Sequence, residues 1–275
     1  DAVNTGLICK GTTMSSFNPP TGFRQRFLAG ETLVGTFVKT PTSHPVEILG
    51  NLGFDFVVID EEHAPWDRGT IDAALLAARA SGTAGIVRVA EPTPAKILAV
   101  LDDGATGVLV PHVSSAAKAK EIVQACRFRG GRRGFSNTTR AGDFGAVGVW
   151  PHVDAQDAAV TFVAMIEDPE ALDEIDAIVG TEGLDGVFIG RGDLTVALGA
   201  PAMDAPEIMS ACETIIAAAK KVGKPVAMMV ANADDAKRFN AMGATTFIVA
   251  SDQGFLRQAA SKAYAEISAV GAKSA

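Results

Sequence analysis

Phe54-Asp55-Phe56-Val57-Val58-Ile59-Asp60-Glu61-Glu62-His63-Ala64-Pro65 is an apolar run that stops abruptly at consecutive ionisable residues. The run is short, β-branched and aromatic, and it does not alternate with polar residues, so it reads as a strand buried on both faces. Charges set directly against the end of such a strand do little for stability. In α/β barrels and open α/β sheets the carboxyl ends of the parallel strands carry the chemistry. The segment therefore points to a fold class, to one face of that fold and to acid–base or ionic chemistry on it.

Outward from this strand the same alternation continues. Apolar runs at 33–38, 54–60, 84–89, 107–111, 160–167, 184–190, 225–230 and 245–250 are separated by Ala-rich segments with helical character near 43–51, 69–81, 94–103, 115–126, 169–179, 205–222, 232–242 and 253–270. Strands alternating with helices imply a parallel sheet. A closed (β/α)8 barrel is expected over an open sheet, whose two edges would need protection. Gly53, Gly104, Gly183 and Gly243 each precede a strand, where a residue tolerating positive φ ends a helix. One connection breaks the pattern: residues 127–153 hold six glycines and five arginines and show no clear secondary structure, as functional or mobile loops do. The Arg127–Arg133 cluster within it reads as a solvated or subunit-contact surface.

The chain has 275 residues, 48% apolar and 20% charged, an ordinary globular composition for one large barrel. Its net charge of −8 disfavours a nucleic-acid partner. Cys9, Cys126 and Cys212 form no metal or redox motif, and a reducing, cytoplasmic setting is the default. No apolar run approaches the roughly 18 residues of a membrane span. Met14-Ser15-Ser16-Phe17 reads as a native start, which makes 1–13 an expression remnant and 14–275 a single domain.

If the strands close, their exits converge on one mouth. It gathers Lys39; Asp60, Glu62 and His63; Arg88; Pro111 and His112; Glu167; Arg191 and Asp193; Met229; and Ser251. Glu167 and Asp193 leave adjacent strands, an arrangement suited to a hard divalent cation, Mg²⁺ or Mn²⁺ rather than zinc. Gly190-Arg191-Gly192-Asp193 lets backbone N–H groups approach a carboxylate or phosphate. Arg88 can polarise an oxyanion, and His63 brings an imidazole, the side chain suited to proton transfer. Plainer readings stand beside these. Glu167 and Asp193 could cap the helices that follow, Arg88 could be a rim ion pair, and His63 a satisfied structural histidine. Asp102-Asp103 reads as a solvated pair, and His44 and His152 as loop residues.

Taken in order, Asp60-Glu61-Glu62-His63-Ala64-Pro65, the strand ending in Arg88, Leu101-Asp102-Asp103-Gly104-Ala105, Val108-Leu109-Val110-Pro111, the Glu167 strand and Gly186-Val187-Phe188-Ile189-Gly190-Arg191-Gly192-Asp193-Leu194 resemble the HpcH/HpaI aldolases. These are metal-dependent (class II) pyruvate aldolases acting on 2-keto-3-deoxy-sugar acids or 4-hydroxy-2-oxoheptanedioate. The resemblance runs from about Leu33 to Lys262. It implies a (β/α)8 barrel with metal ligands Glu167 and Asp193, and with Arg88 polarising the keto oxygen. It further implies His63 as the catalytic histidine, Asp102 as an aspartate paired with it and Glu62 as the acid preceding it. The backbone from Gly190 through Arg191 and Gly192 to Asp193 would bind the pyruvate carboxylate. Mg²⁺ or Mn²⁺, with Co²⁺ as a further candidate, would be the cofactor, and the assembly a homohexamer of dimers that exchange C-terminal helices, here from Asp252 onward. Met165 stands where the family commonly has glutamine, Arg191-Gly192 where it often has Pro-Ala, and Glu61 where it often has Gly.

The expected activity is reversible aldol addition and cleavage between pyruvate or hydroxypyruvate and an aldehyde. The rivals are a Schiff-base aldolase, for which Lys39 is the one lysine at a strand exit, an acyl-CoA lyase of the citrate-lyase-like group using a basic groove around Arg127–Arg133, and a non-catalytic barrel that binds a ketoacid.

Overall fold

The apolar runs form eight strands, β1 (Leu33–Val38), β2 (Phe56–Asp60), β3 (Ala84–Arg88), β4 (Gly107–Val110), β5 (Thr161–Ile166), β6 (Gly186–Ile189), β7 (Val226–Val230) and β8 (Thr246–Ser251). All are parallel, and they bond in chain order with β8 returning to β1, so the barrel is closed. This computed structural model describes residues 22–270. The segment 1–13, the start at Met14 and Cys9 lie outside the described residues.

Helices α1 (Phe23–Leu28), α2 (Ser43–Asn51), α3 (Arg68–Ser81), α4 (Pro94–Asp102), α5 (Ala116–Cys126), α6 (Val149–Ala159), α7 (Glu170–Asp173), α8 (Ile175–Val179), α9 (Arg191–Ala197), α10 (Pro206–Lys221), α11 (Ala233–Met242) and α12 (Asp252–Ala269) accompany the strands. The helix-ending glycines behave as expected, with φ of 94° at Gly53, 97° at Gly104, 86° at Gly183 and 126° at Gly243.

Strand side chains alternate between two apolar cores, because successive residues point to opposite faces. Val57, Ile59, Val87 and Phe162 pack outward against the helices. Phe37, Phe56, Val58, Ile86, Leu109, Met165, Phe188 and Ile248 fill the barrel interior. Phe23 and Phe27 of α1 join that inner core, and Phe23 sits 5.5 Å from the ring of Phe56. This helix precedes the first strand and escaped the pattern of alternating units, although its Phe-x-x-x-Phe spacing places both rings on one face. The β1–β8 seam carries an irregularity between Gly35 and Phe37. Asp252 secures it by accepting the backbone N–H groups of Lys39 (2.8 Å) and Thr40 (3.0 Å).

Three expectations need correction. The connection 127–153 is structured: it contains a 3₁₀ turn at Arg140–Gly145 and most of the first half of α6. Pro151 falls in the first turn of α6, where its missing N–H costs nothing, and buried His152 is a helix residue rather than a loop residue. The helix near 169–179 is two short helices, α7 and α8, because Glu174 leaves the helical backbone region. Its carboxylate instead accepts the N–H of Ala116 at the start of α5 (3.0 Å).

The Arg127–Arg133 cluster is only partly a solvated surface: Arg129 and Arg132 are exposed. Arg127 and Arg133 are buried. Arg127 Nη2 donates to Asp185 Oδ2 (2.9 Å) and its Nη1 to the Val160 carbonyl (2.7 Å). Arg24 of α1 donates to the other oxygen of Asp185 through Nε (3.0 Å) and Nη2 (2.7 Å), and the Phe162 N–H completes the shell at 2.8 Å. One carboxylate thus ties α1, the connection after α5, β5 and β6 together. Removing one partner of a buried pair leaves an uncompensated charge. Asp185→Ala is therefore expected to destabilise the fold by about 3–5 kcal/mol, measured by denaturant unfolding; a change near zero would contradict the anchor.

Candidate active site

The period-two alternation that fills the interior also decides which charges face the mouth. Phe37, Phe56, Ile86 and Met165 point inward, so Lys39, Asp60, Arg88 and Glu167, displaced from them by even steps, continue on the inner face at the carboxyl ends. Asp60 and Arg88 are register partners on β2 and β3. Arg88 Nε and Nη2 donate to Asp60 Oδ1 and Oδ2 at 2.8 and 2.7 Å, a bidentate pair. Lys39 Nζ lies 3.1 Å from Oδ2, and the His63 backbone N–H donates to Oδ1 at 3.2 Å. Asp60 is 0% exposed. Burial pulls its carboxyl upward, but the Arg88 bonds and charge, the His63 N–H and Lys39 outweigh it and hold Asp60 below its ordinary value.

Arg88 is buried, with its guanidinium 4.7 Å above the Phe37 ring. Its Nη1 lies 3.3 Å from Glu62 Oε2. Glu62 is flanked by two imidazoles, His63 Nε2 at 3.7 Å and His112 Nε2 at 3.8 Å. His63 remains half-exposed, on the turn between β2 and α3.

Across the mouth Glu167 is buried at the end of β5. Its Oε1 accepts the His112 N–H at 2.8 Å, and its Oε2 lies over Gly190, where the β-carbon of any other residue would collide with it. Glu167 does not cap α7. Burial pushes its carboxyl up to about 7; the His112 N–H and imidazole oppose this, and the charges of Asp193 and Glu62 add to it. Asp193 sits in the first turn of α9 and lines the same cavity of 620 Å³ as Lys39, Arg88, Met165 and Gly190. Among the described residues no group of three or more His, Cys, Asp or Glu could hold a metal ion. Two carboxylates with space kept beside one of them by a glycine nevertheless fit a hard divalent cation, which takes few protein ligands and fills its shell with water and substrate.

Two expected site residues are placed differently. Asp102, at the end of α4, is buried rather than solvated, and Arg133 Nη2 donates to its Oδ1 at 3.3 Å. Burial raises this carboxyl, and Arg133 opposes the rise. Within the chain Asp102 makes no bond to His63; the carboxylate beside His63 is Glu62. Its neighbour Asp103 is taken by Arg68, through bonds of 3.0 and 3.1 Å. Arg191 turns away from the carboxylates. Its Nη2 donates to Asp235 Oδ2 (2.9 Å) and the Met229 carbonyl (2.8 Å), and its guanidinium stacks 4.6 Å over Phe239.

A family model described as HpcH/HpaI aldolase/citrate lyase matches residues 33–259. The chain belongs to this family. It is 37% identical over 246 residues to the 5-keto-4-deoxy-D-glucarate aldolase of Klebsiella pneumoniae subsp. pneumoniae, covering 88% of this chain and 95% of that protein. Among solved structures it is similar to an HpcH/HpaI aldolase/citrate lyase family protein from Burkholderia cenocepacia, with TM-score 0.84 and 27% identity over 89% of this chain and 98% of that one. It is also similar to the citrate synthase SbnG, with TM-score 0.83 and 29% identity over 90% of this chain and 98% of that one. The family and the aldolase-named relatives make this protein a carbon–carbon lyase, and the closed eight-stranded barrel is the fold expected of it.

Asp60 and His112 carry no marked role in the sequence. The parity of the β2 strand could have singled out Asp60 as an inward charge. Nothing in the local pattern marks His112, whose place depends on a left-handed backbone after Pro111.

The raised Glu167 carboxyl has a consequence for stability. A folded-state pKa above the unfolded one means that the native state holds the proton more tightly, so stability is full below the unfolded value and is lost as pH rises through the folded value. In EDTA-treated protein, wild type should lose stability relative to Glu167→Gln as pH rises from 5 through about 7. Parallel denaturation curves at several pH values check this, and a pH-independent difference would refute it.

Proposed function

We propose that the barrel mouth catalyses reversible aldol addition and cleavage between pyruvate or hydroxypyruvate and an aldehyde, with Mg²⁺ or Mn²⁺ held by Glu167 and Asp193. The observation that carries this reading is the opposition of two walls. On one, Arg88 and Lys39 are balanced by Asp60 and Glu62. On the other, Glu167 is buried and shares the wall with Asp193, whose charge adds to the burial that raises the Glu167 carboxyl. A divalent cation held by Glu167 and Asp193 would supply Lewis acidity toward a 2-oxo acid.

The chain's own groups do the rest. Arg88, locked by Asp60 and Glu62, retains N–H groups to stabilise an oxyanion developing on the keto oxygen, and a preorganised donor is worth more than a mobile one. His63, half-exposed beside Glu62, takes the methyl proton during addition and the 4-hydroxyl proton during cleavage. Since Asp102 is committed to Arg133 within the chain, Glu62 is the partner that orients His63 here. Met165 adds an apolar surface to the cavity, and Arg191, which also lines it, has its guanidinium paired with Asp235. The relatives' named substrate, 5-keto-4-deoxy-D-glucarate, is the first cleavage substrate to test.

The rivals gain no support. Lys39 is in an ion pair with buried Asp60 rather than standing free as a nucleophile. The basic groove invoked for an acyl-CoA loses Arg127 and Arg133 to buried carboxylates, and Arg129 to Asp154 (2.7 Å).

Glu167→Ala and Asp193→Ala should each lower aldol cleavage by more than about 10³-fold, the scale of removing a main electrostatic stabiliser, and abolish Mn²⁺ binding. Full activity in rigorously metal-free protein, or a borohydride-trapped pyruvate adduct on Lys39, would overturn the reading. No helix among the described residues is long and apolar enough to cross a membrane.

We also propose that α12 docks on another copy, as expected of a homohexamer with exchanged C-terminal helices. This helix of 18 residues buries none of its side chains and exposes Leu256, Tyr264 and Ile267. Leu256→Asp combined with Ile267→Asp should shift the mass measured by light scattering to a smaller species; an unchanged mass would argue against it.

A further inference from the structure

We infer that Asp168 and His112 form a clamp that positions Glu167, a role that rests on the proposed function of Glu167 as a metal ligand. His112 follows Pro111 beyond the end of β4 and has φ of 54°, the left-handed region that a β-carbon disfavours. In that conformation its N–H reaches Glu167 Oε1 at 2.8 Å. Something must hold a non-glycine residue there, and three contacts do. His112 Nδ1 bonds Asp168 Oδ1 at 3.0 Å, Lys118 Nζ donates to the His112 carbonyl at 2.6 Å, and the Ser114 N–H donates to the same carbonyl at 3.0 Å.

Glu167 and Asp168 are consecutive, and both hydrogen-bond His112. One takes its backbone and the other its ring. The exit of β4 is thereby tied to the exit of β5 at two points. Fixing Oε1 by the N–H bond leaves Oε2 over Gly190, the oxygen free to face the cation. With the Nδ1 proton given to Asp168, Nε2 is the ring atom turned to Glu62 Oε1 at 3.8 Å, so the clamp also sets the spacing between the two walls. Partners that orient a ligating side chain typically change metal affinity by roughly 10–100-fold when removed.

The test is Mn²⁺ binding by the purified full-length protein, followed by electron paramagnetic resonance, together with melting of the metal-free forms. Asp168→Ala and His112→Ala should each weaken Mn²⁺ by on the order of 10-fold or more. The double variant should bind no worse than the weaker single, because the two residues act as one unit. Asp168→Asn should recover part of the affinity, since its amide oxygen still accepts from Nδ1. The metal-free variants should melt close to wild type, which separates positioning from a general loss of structure. Unchanged affinity in both alanine variants, or additive losses in the double, would overturn the clamp while the ligand role stands. Unchanged binding in Glu167→Ala would instead overturn the ligand role, and the clamp with it.

Discussion

The rest of the mouth depends on the ion pair between Asp60 and Arg88. Both are buried at the same register of adjacent strands, and neither is tolerable there alone, because an unpaired buried charge costs several kcal/mol. Paired through two parallel bonds, they become a fixed plane. Phe37 packs beneath the guanidinium, and Glu62 leans on its remaining edge. The turn carrying His63 is pinned by its N–H to the same carboxylate. A single pair therefore fixes the Arg88 guanidinium, the Glu62 carboxylate on its edge and the turn that carries His63, and it anchors that turn to two rigid strands.

The facing wall is built on the opposite principle. Glu167 is just as buried but, among the described residues, has no arginine or lysine bonded to it; its partners are a backbone N–H, an imidazole and neighbouring carboxylates. Arg191, the cation closest in sequence, is committed to Asp235. Charge that is settled on one side and unsettled on the other gives the cavity a direction. A 2-oxo acid has a carboxylate and a carbonyl oxygen on neighbouring carbons, and under the proposed function such a molecule would lie between a cation held on one wall and the Arg88 guanidinium on the other.

Much of this was legible before any coordinates. The Phe54–Asp60 run announced a buried strand with charge at its exit, and the eight alternating units announced closure. Legibility failed where local pattern carries no information about partners. Arg127 and Arg133 look like surface charge in a glycine-rich stretch, and only the approach of Asp185 and Asp102 from distant segments makes them internal. The stretch 127–153 shows no helical pattern, and that Val149–Ala159 is helical, with Pro151 in its first turn, depends on where α6 begins. Glu174 looks like one more helix residue, and the open N–H at the head of α5 draws it out of line.

The sequence by itself determined the period-two alternation, and through it the inward direction of Lys39, Asp60, Arg88 and Glu167, because side-chain direction in a strand is a local property of the backbone. Only the tertiary structure decided the pairings. It set Arg88 on Asp60, Glu62 between two histidines, Asp102 on Arg133 instead of His63, and His112 against Glu167 and Asp168. Those choices depend on distances between residues far apart in the chain, and such distances exist only once the barrel has closed.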